Sequence, residues 1–73
     1  MTAANPKIIK RSVTINGHAT SVSLEPEFWD ELQQIAQQKK LPVASLIAQI
    51  DKSRGGGNLS SALRLFVLKT LKS

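Results

Sequence analysis

Hydrophobic and polar residues alternate along residues 10–24, and this period of two predicts β-strands. The alternation is interrupted once, at Asn16-Gly17. Asn-Gly suits a two-residue type I′ turn because both central residues of that turn need a positive φ. A turn at this dipeptide pairs Ile15 with His18, and the pattern therefore predicts a β-hairpin in this register.

The predicted register separates the hairpin into an apolar and a polar face, because successive side chains of a strand point to opposite sides. The apolar face holds Val13, Ile15, Thr20, Val22 and Leu24. The polar face holds Lys10, Ser12, Thr14, Ala19, Ser21 and Ser23. A shift of one residue would bury a row of hydroxyl groups, so the register is strongly specified. Since an isolated hairpin is only marginally stable, we expect its apolar face to pack on the rest of the chain.

Apolar residues recur at helical spacing in three later segments. The first predicted helix begins at Pro26, which suits the first helical position, and ends near residue 40. The second covers about residues 42–53, and the glycine-rich segment 54–58 separates it from the third, at about residues 59–72. The third is apolar on almost every side, which is typical of a buried helix. We therefore expect it to pack against a second subunit.

Length and composition favour one small domain that completes its core by dimerising. The chain has 73 residues, of which 41% are hydrophobic, and no cysteine that could form a disulfide. We expect a flexible arm over residues 1–9 and a single domain over residues 10–73. The start MTAANP lacks the apolar segment of a signal peptide, and no apolar stretch is long enough to cross a bilayer. A cytoplasmic protein without a membrane partner is expected.

The charge distribution favours an anionic partner. Ten Lys and Arg residues against five Asp and Glu residues give a net charge of +5. Four of the five acids lie within residues 25–31, at the predicted start of the first helix, where negative charge is favourable beside the helix dipole. The acids therefore leave the remaining surfaces basic. Lys39 and Lys40 lie beside the N–H groups that open the second helix, an arrangement suited to a phosphate.

Catalytic and metal chemistry are poorly supported. His18 is the only histidine, and with no cysteine the chain has too few ligands for a typical metal site or a catalytic triad. The segment RGGGNLSS is rich in glycine but lacks the spacing and the lysine of a phosphate-binding loop. We expect no enzyme activity, no cofactor and no metal.

The order of strand, helix, short turn and helix in TSVSLEPEFWDELQQIAQQKKLPVASLIAQI resembles the ribbon-helix-helix superfamily (the Arc, MetJ and CopG type). More narrowly, RSVTINGHATSVSLEPEFW with GGGNLSSALRLFVL is similar to short bacterial proteins that carry such a domain and are regarded as DNA-binding. The resemblance implies an α+β fold, here an N-terminal hairpin followed by three helices, in an intertwined homodimer. It also implies that strands 18–24 of two subunits pair into a ribbon that enters the major groove, while residues 42–45 grip a phosphate.

The sequence departs from this family pattern in its outward residues, in an extra strand and in a third helix. The outward residues Ala19, Ser21 and Ser23 are shorter than the usual base-contacting side chains, and serine discriminates poorly between bases. The strand before Asn16 would widen the dimer ribbon to four strands, and the third helix is absent from the minimal fold.

The leading hypothesis is a sequence-specific DNA-binding protein, a transcriptional regulator that acts as a homodimer on double-stranded DNA, with higher-order assembly left open. The expected base contacts are Lys10, Ser12, Thr14, Ser21 and Ser23. The expected phosphate contacts are Lys7, Arg11, Lys39 and Lys40. The alternative is a protein-interaction module, an adaptor or antitoxin-like protein, that uses the same fold without reading bases.

Overall fold

The computed structural model describes residues 7–53 and 57–72, in which a two-stranded antiparallel sheet is followed by three helices. The elements are β1 (Ile9–Ile15), β2 (His18–Leu24), α1 (Pro26–Gln38), α2 (Val43–Ser53) and α3 (Leu59–Lys72). This order confirms the predicted α+β fold. Residues 1–6 of the predicted arm and the glycines at 55 and 56 lie outside the described residues.

The hairpin forms in the predicted register. Ile15 pairs with His18 across the turn, and the pairing continues to Ile9 opposite Leu24. Asn16 and Gly17 have φ values of 52° and 80°, so both central residues adopt the positive φ that a type I′ turn requires. The apolar alternation and the Asn-Gly turn thus agree on one register.

The connection between α1 and α2 is a Schellman motif. The Leu41 N–H donates a hydrogen bond to the Ala36 carbonyl at 2.9 Å, and the Lys40 N–H donates to the Gln37 carbonyl at 3.0 Å. Lys40 has a φ of 59°, in the left-handed region that favours glycine. The Pro42 carbonyl accepts the first hydrogen bonds of α2, so the proline lies directly before the helix that it was predicted to open.

The core lies between the sheet and the three helices. α2 packs against β1, α3 packs against β2, and each helix contacts the other two. The largest fully buried side chains come from the second strand and all three helices: Val22, Leu24, Leu32, Leu46, Ile47, Leu63 and Val67. A single copy of the chain therefore encloses a continuous apolar core.

α3 buries one side within its own chain and exposes the other. Leu63 and Val67, one helical turn apart, are 0% and 1% exposed, whereas Leu65, Leu68 and Leu71 are 55%, 46% and 60% exposed. One apolar side of α3 therefore packs into the core of its own chain. The exposed leucines are the part of α3 on which the predicted contact with a second subunit now depends.

Candidate nucleic-acid interface

The polar face of the hairpin, here called the outer face, points away from the helices. Its cross-strand pairs are Lys10 with Ser23, Ser12 with Ser21, and Thr14 with Ala19. All these side chains are exposed except that of Ser23, which is half-buried. The five predicted base-contact residues are thus brought together on one surface: Lys10, Ser12, Thr14, Ser21 and Ser23.

The hairpin turn also determines where the backbone groups of each strand point. In a two-residue hairpin the residues flanking the turn exchange both hydrogen bonds, and hydrogen-bonded pairs then alternate along the ladder. Because Ile15 and His18 flank the turn, the N–H and C=O groups of Ala19, Ser21 and Ser23 point away from β1. Those of β1 that point away from β2 belong to Lys10, Ser12 and Thr14.

Two side chains of α3 close one end of the β2 edge, an arrangement that we call the edge cap. Ser60 Oγ accepts a hydrogen bond from the Ser23 N–H at 2.9 Å, and Arg64 Nη2 donates one to the Ser23 carbonyl at 3.1 Å. Arg64 Nε also donates to Glu25 Oε1 at 3.0 Å, with the two side chains 30% and 20% exposed. Both outward backbone groups of Ser23 are therefore satisfied by α3.

The edge cap perturbs the carboxylate of Glu25. Hydrogen bonding to the backbone of Glu25 itself holds the pKa of this carboxyl below the ordinary value for a glutamate. The hydrogen bond from Arg64 and the positive charge of Arg64 lower the pKa further, whereas burial raises it. From the sequence, Glu25 is expected only as an acid at a helix start. Its pairing with Arg64 is not predictable in this way, because the two residues are 39 positions apart and no local pattern indicates the contact.

The predicted phosphate contacts are distributed over different surfaces. Lys7 is exposed just before β1, and Lys40 is exposed at the end of α1. Lys39 lines an open groove of about 720 Å³ between α2 and α3, together with Leu46, Ile50, Leu65 and Phe66 among other residues. The lining comes from Lys39, α2, α3 and the residues just before α3, so Lys39 does not join the outer face.

Arg11 lies on the opposite face of the sheet from Lys10 and Ser12. Its guanidinium carbon is 4.6 Å from the centroid of the Trp29 ring, within the range of a cation–π contact, and Nη1 is buried without a hydrogen-bond partner among the described residues. The alternation that places Val13 on the apolar face also places Arg11 there. A phosphate contact by Arg11 would require the guanidinium to leave Trp29.

Neither a metal-binding cluster nor a membrane-spanning helix is found in the part of the chain that the structure describes. It contains no cluster of three or more histidine, aspartate or glutamate side chains that could hold a metal ion. None of the helices formed by these residues has the length and apolarity needed to cross a membrane.

Comparisons with known proteins agree with the geometry. Residues 8–71 match the family model of the ribbon-helix-helix domain. The fold is similar to that of an uncharacterized protein from Bordetella pertussis Tohama I, with 36% sequence identity and a TM-score of 0.79. That similarity covers 96% of this chain and 62% of the Bordetella protein, so the chain spans less than two thirds of that protein. Comparison with curated proteins gave no match.

Proposed function

Because this chain belongs to the ribbon-helix-helix domain family, we propose that it is a sequence-specific DNA-binding protein that acts as a homodimer and regulates transcription in the cytoplasm. The observation that carries this proposal is the outer face. It presents hydroxyl groups and one lysine on a regular two-stranded surface that no helix covers.

The dimensions and chemistry of the outer face suit the major groove. B-DNA admits a two-stranded ribbon there, and its base edges offer hydrogen-bond donors and acceptors. Lys10 can donate to guanine, while Ser12, Thr14 and Ser21 can each donate or accept. The hydroxyl groups of serine and threonine accommodate several bases, so Lys10 is expected to contribute most of the discrimination.

Phosphate contacts are expected to supply most of the affinity, since neutralising the DNA backbone releases bound counterions. Lys7 and Lys40 are exposed, and the chain carries a net charge of +5. Binding should therefore weaken as the salt concentration rises.

Fluorescence anisotropy of labelled duplexes over a salt series tests this proposal. Lys10→Ala should cost about 1–3 kcal/mol on a preferred sequence and relax the preference. Lys40→Ala should reduce the slope of log K against log salt by about 1.8, which is about 0.9 for each of the two contacts that the homodimer loses. Lys72→Ala is the matched control, because it removes the same charge from the far end of α3. Absence of binding at low salt would refute DNA binding, and binding that salt does not weaken would refute the expected phosphate contacts.

A protein-interaction module is the second candidate, and the groove between α2 and α3 favours it. The groove has an apolar lining that includes Phe66 and Leu65, and Leu65 is 55% exposed. In this case Lys10→Ala would leave partner binding intact, while Leu65→Ala would abolish it. The anisotropy series separates the candidates, since an interaction module without base readout should show no sequence preference among duplexes.

A further inference from the structure

The groove between α2 and α3 lies apart from the outer face and has no role in the proposed DNA binding. Its volume of about 720 Å³ is within the range of about 300–1,000 Å³ that is typical of small-molecule sites. The lining residues recur once per helical turn, at positions 46, 49, 50 and 53 of α2 and 61, 62, 65, 66 and 69 of α3. The groove therefore follows both helices over about two turns.

The middle of the groove is apolar, and its floor is already closed. Leu46 and Ile50 of α2 are 1% and 7% exposed, and Phe66 of α3 is half-buried. Leu65 is 55% exposed, so most of the apolar surface still open in the groove comes from Leu65 and Phe66. A stable protein interface buries about 800 Å² on each partner, which is much more than these two side chains offer. The groove therefore suits a small ligand with a narrow apolar chain better than it suits a protein.

The two ends of the groove differ in charge. Near the connection between the helices the lining is polar and uncharged, with Ser53, Asn58 and Ser61. Toward the other end it includes Lys39, which follows α1, and Lys69, in the last turn of α3. Both lysines are exposed, and the lining formed by the described residues contains no aspartate or glutamate. This end of the groove is therefore complementary to an anionic group.

We propose that the groove is a binding site for an anionic amphiphile, a monocarboxylate on an unbranched apolar chain. The carboxylate lies beside Lys39 and Lys69, whose ammonium groups donate charge-assisted hydrogen bonds to it. The chain runs along Phe66 and Leu65 and gains free energy by leaving water. Lys39 thus binds a carboxylate in place of the DNA phosphate expected from the sequence. The site goes beyond the proposed DNA binding and does not depend on it.

NMR titration of the isotope-labelled protein with sodium decanoate, kept below its micelle concentration, tests the proposal. Decanoate should shift the amide signals of the groove lining. Binding should tighten about two- to fourfold for each methylene group added between hexanoate and decanoate, because each one leaves water on binding. Decanol should bind more weakly than decanoate, because it has the same chain without the charge.

Matched variants separate the groove from the rest of α3. Lys39→Gln and Lys69→Gln should each weaken decanoate binding by up to about fivefold, as expected of an exposed ion pair, whereas Lys72→Gln removes a charge outside the lining and should not. Leu65→Ala should weaken binding at least about twofold. Leu68→Ala is its control, because Leu68 is 46% exposed and lies outside the lining. All five positions are exposed, so the variants should stay folded.

Four results would overturn the proposal. Unchanged signals of the lining residues would exclude the site. Equal weakening by the control substitutions would indicate adsorption to the surface of α3, and equal affinity for decanol and decanoate would remove the role of the lysines. If Leu65→Ala dissociates a dimer in light scattering and leaves decanoate binding unchanged, a second copy fills the groove instead.

Anisotropy on duplex DNA, measured with the same variants, is a separate readout. DNA binding without decanoate binding would refute this site and leave the proposed function standing. Decanoate binding without DNA binding would support the site and refute the proposed function.

Discussion

Lys40 adopts a backbone conformation that its side chain disfavours. As the left-handed residue of the Schellman motif, it has a φ of 59°, and residues with a Cβ are destabilised there relative to glycine. Since Lys40 is exposed, removing its side chain sacrifices little packing.

Lys40→Gly should therefore raise the free energy of unfolding by about 0.5–1 kcal/mol, as measured by urea denaturation. Lys39→Gly is the control, because Lys39 has a right-handed φ of −85° and gains nothing from glycine. Equal effects of the two substitutions would contradict the strain argument. If Lys40 also contacts phosphate, Lys40→Gly gives a more stable protein that binds DNA more weakly.

The edge cap joins β2, the start of α1 and the first turns of α3. It ties Glu25 to stability at acid pH, because the folded-state pKa of this carboxyl is lowered. Because the pKa of Glu25 is lowered in the folded protein, the ionised carboxylate stabilises the fold. This stabilisation is fully present above the ordinary glutamate pKa near 4.3 and is lost as the pH falls through the folded-state pKa.

NMR titration of the Glu25 carboxyl tests the role of Arg64. Arg64→Gln should move the Glu25 titration midpoint upward toward the ordinary value, because it removes the ionic hydrogen bond at 3.0 Å. The shift should be incomplete, since hydrogen bonding to the backbone, which is the largest single cause of the lowered pKa, stays in place. Lys72→Gln, which removes a charge from the other end of α3, should leave the midpoint unchanged. An unchanged midpoint in Arg64→Gln would disprove the coupling.

The two sides of α3 should respond differently to truncation. Leu63→Ala should cost about 2–5 kcal/mol of unfolding free energy, because Leu63 is fully buried, whereas Leu65→Ala should change it by about 0.5 kcal/mol or less. Denaturant titration measures both. If Leu63→Ala fails to fold, Leu63→Met, which conserves volume, should stay folded with a cost below about 1.5 kcal/mol. Equal costs at positions 63 and 65 would contradict the observed orientation of α3.

The molecule as a whole encloses its core within one chain, and this changes the expectation about dimerisation. An intertwined dimer would couple folding to association, so its stability would depend on protein concentration. Here the buried side chains of β2 and all three helices meet in a single copy, so the core of one chain does not depend on a partner.

Dilution should therefore separate association from folding. We expect the helical circular dichroism signal to persist at concentrations where light scattering gives the mass of a monomer. A concentration-dependent loss of helix that coincides with dissociation would show instead that the dimer is obligate.

Local patterns predicted most of the fold. The alternation of residues 10–24 and the Asn16-Gly17 turn determine the hairpin, its register and the membership of the outer face. Helical periodicity, with Pro26 and Pro42 as starts, determines the helices. The same alternation already places Arg11 on the apolar face. Its charge suggested a phosphate contact, which stays a prediction, while its position in the strand places its guanidinium beside Trp29 with Nη1 buried.

Tertiary structure decided which distant groups meet. The spacing of apolar residues in α3 does not predict which leucines face the core, because nearly every side of the helix is apolar. Packing against β2 determines that Leu63 and Val67 are the buried ones. The hydrogen bonds of Arg64 with Ser23 and Glu25 span 41 and 39 positions. The spacing of apolar residues in a sequence shows which side of its own strand or helix a side chain occupies. It does not show which other strand or helix lies close enough in space for that side chain to contact. For this reason the outer face was predictable, and the closure of the β2 edge was not.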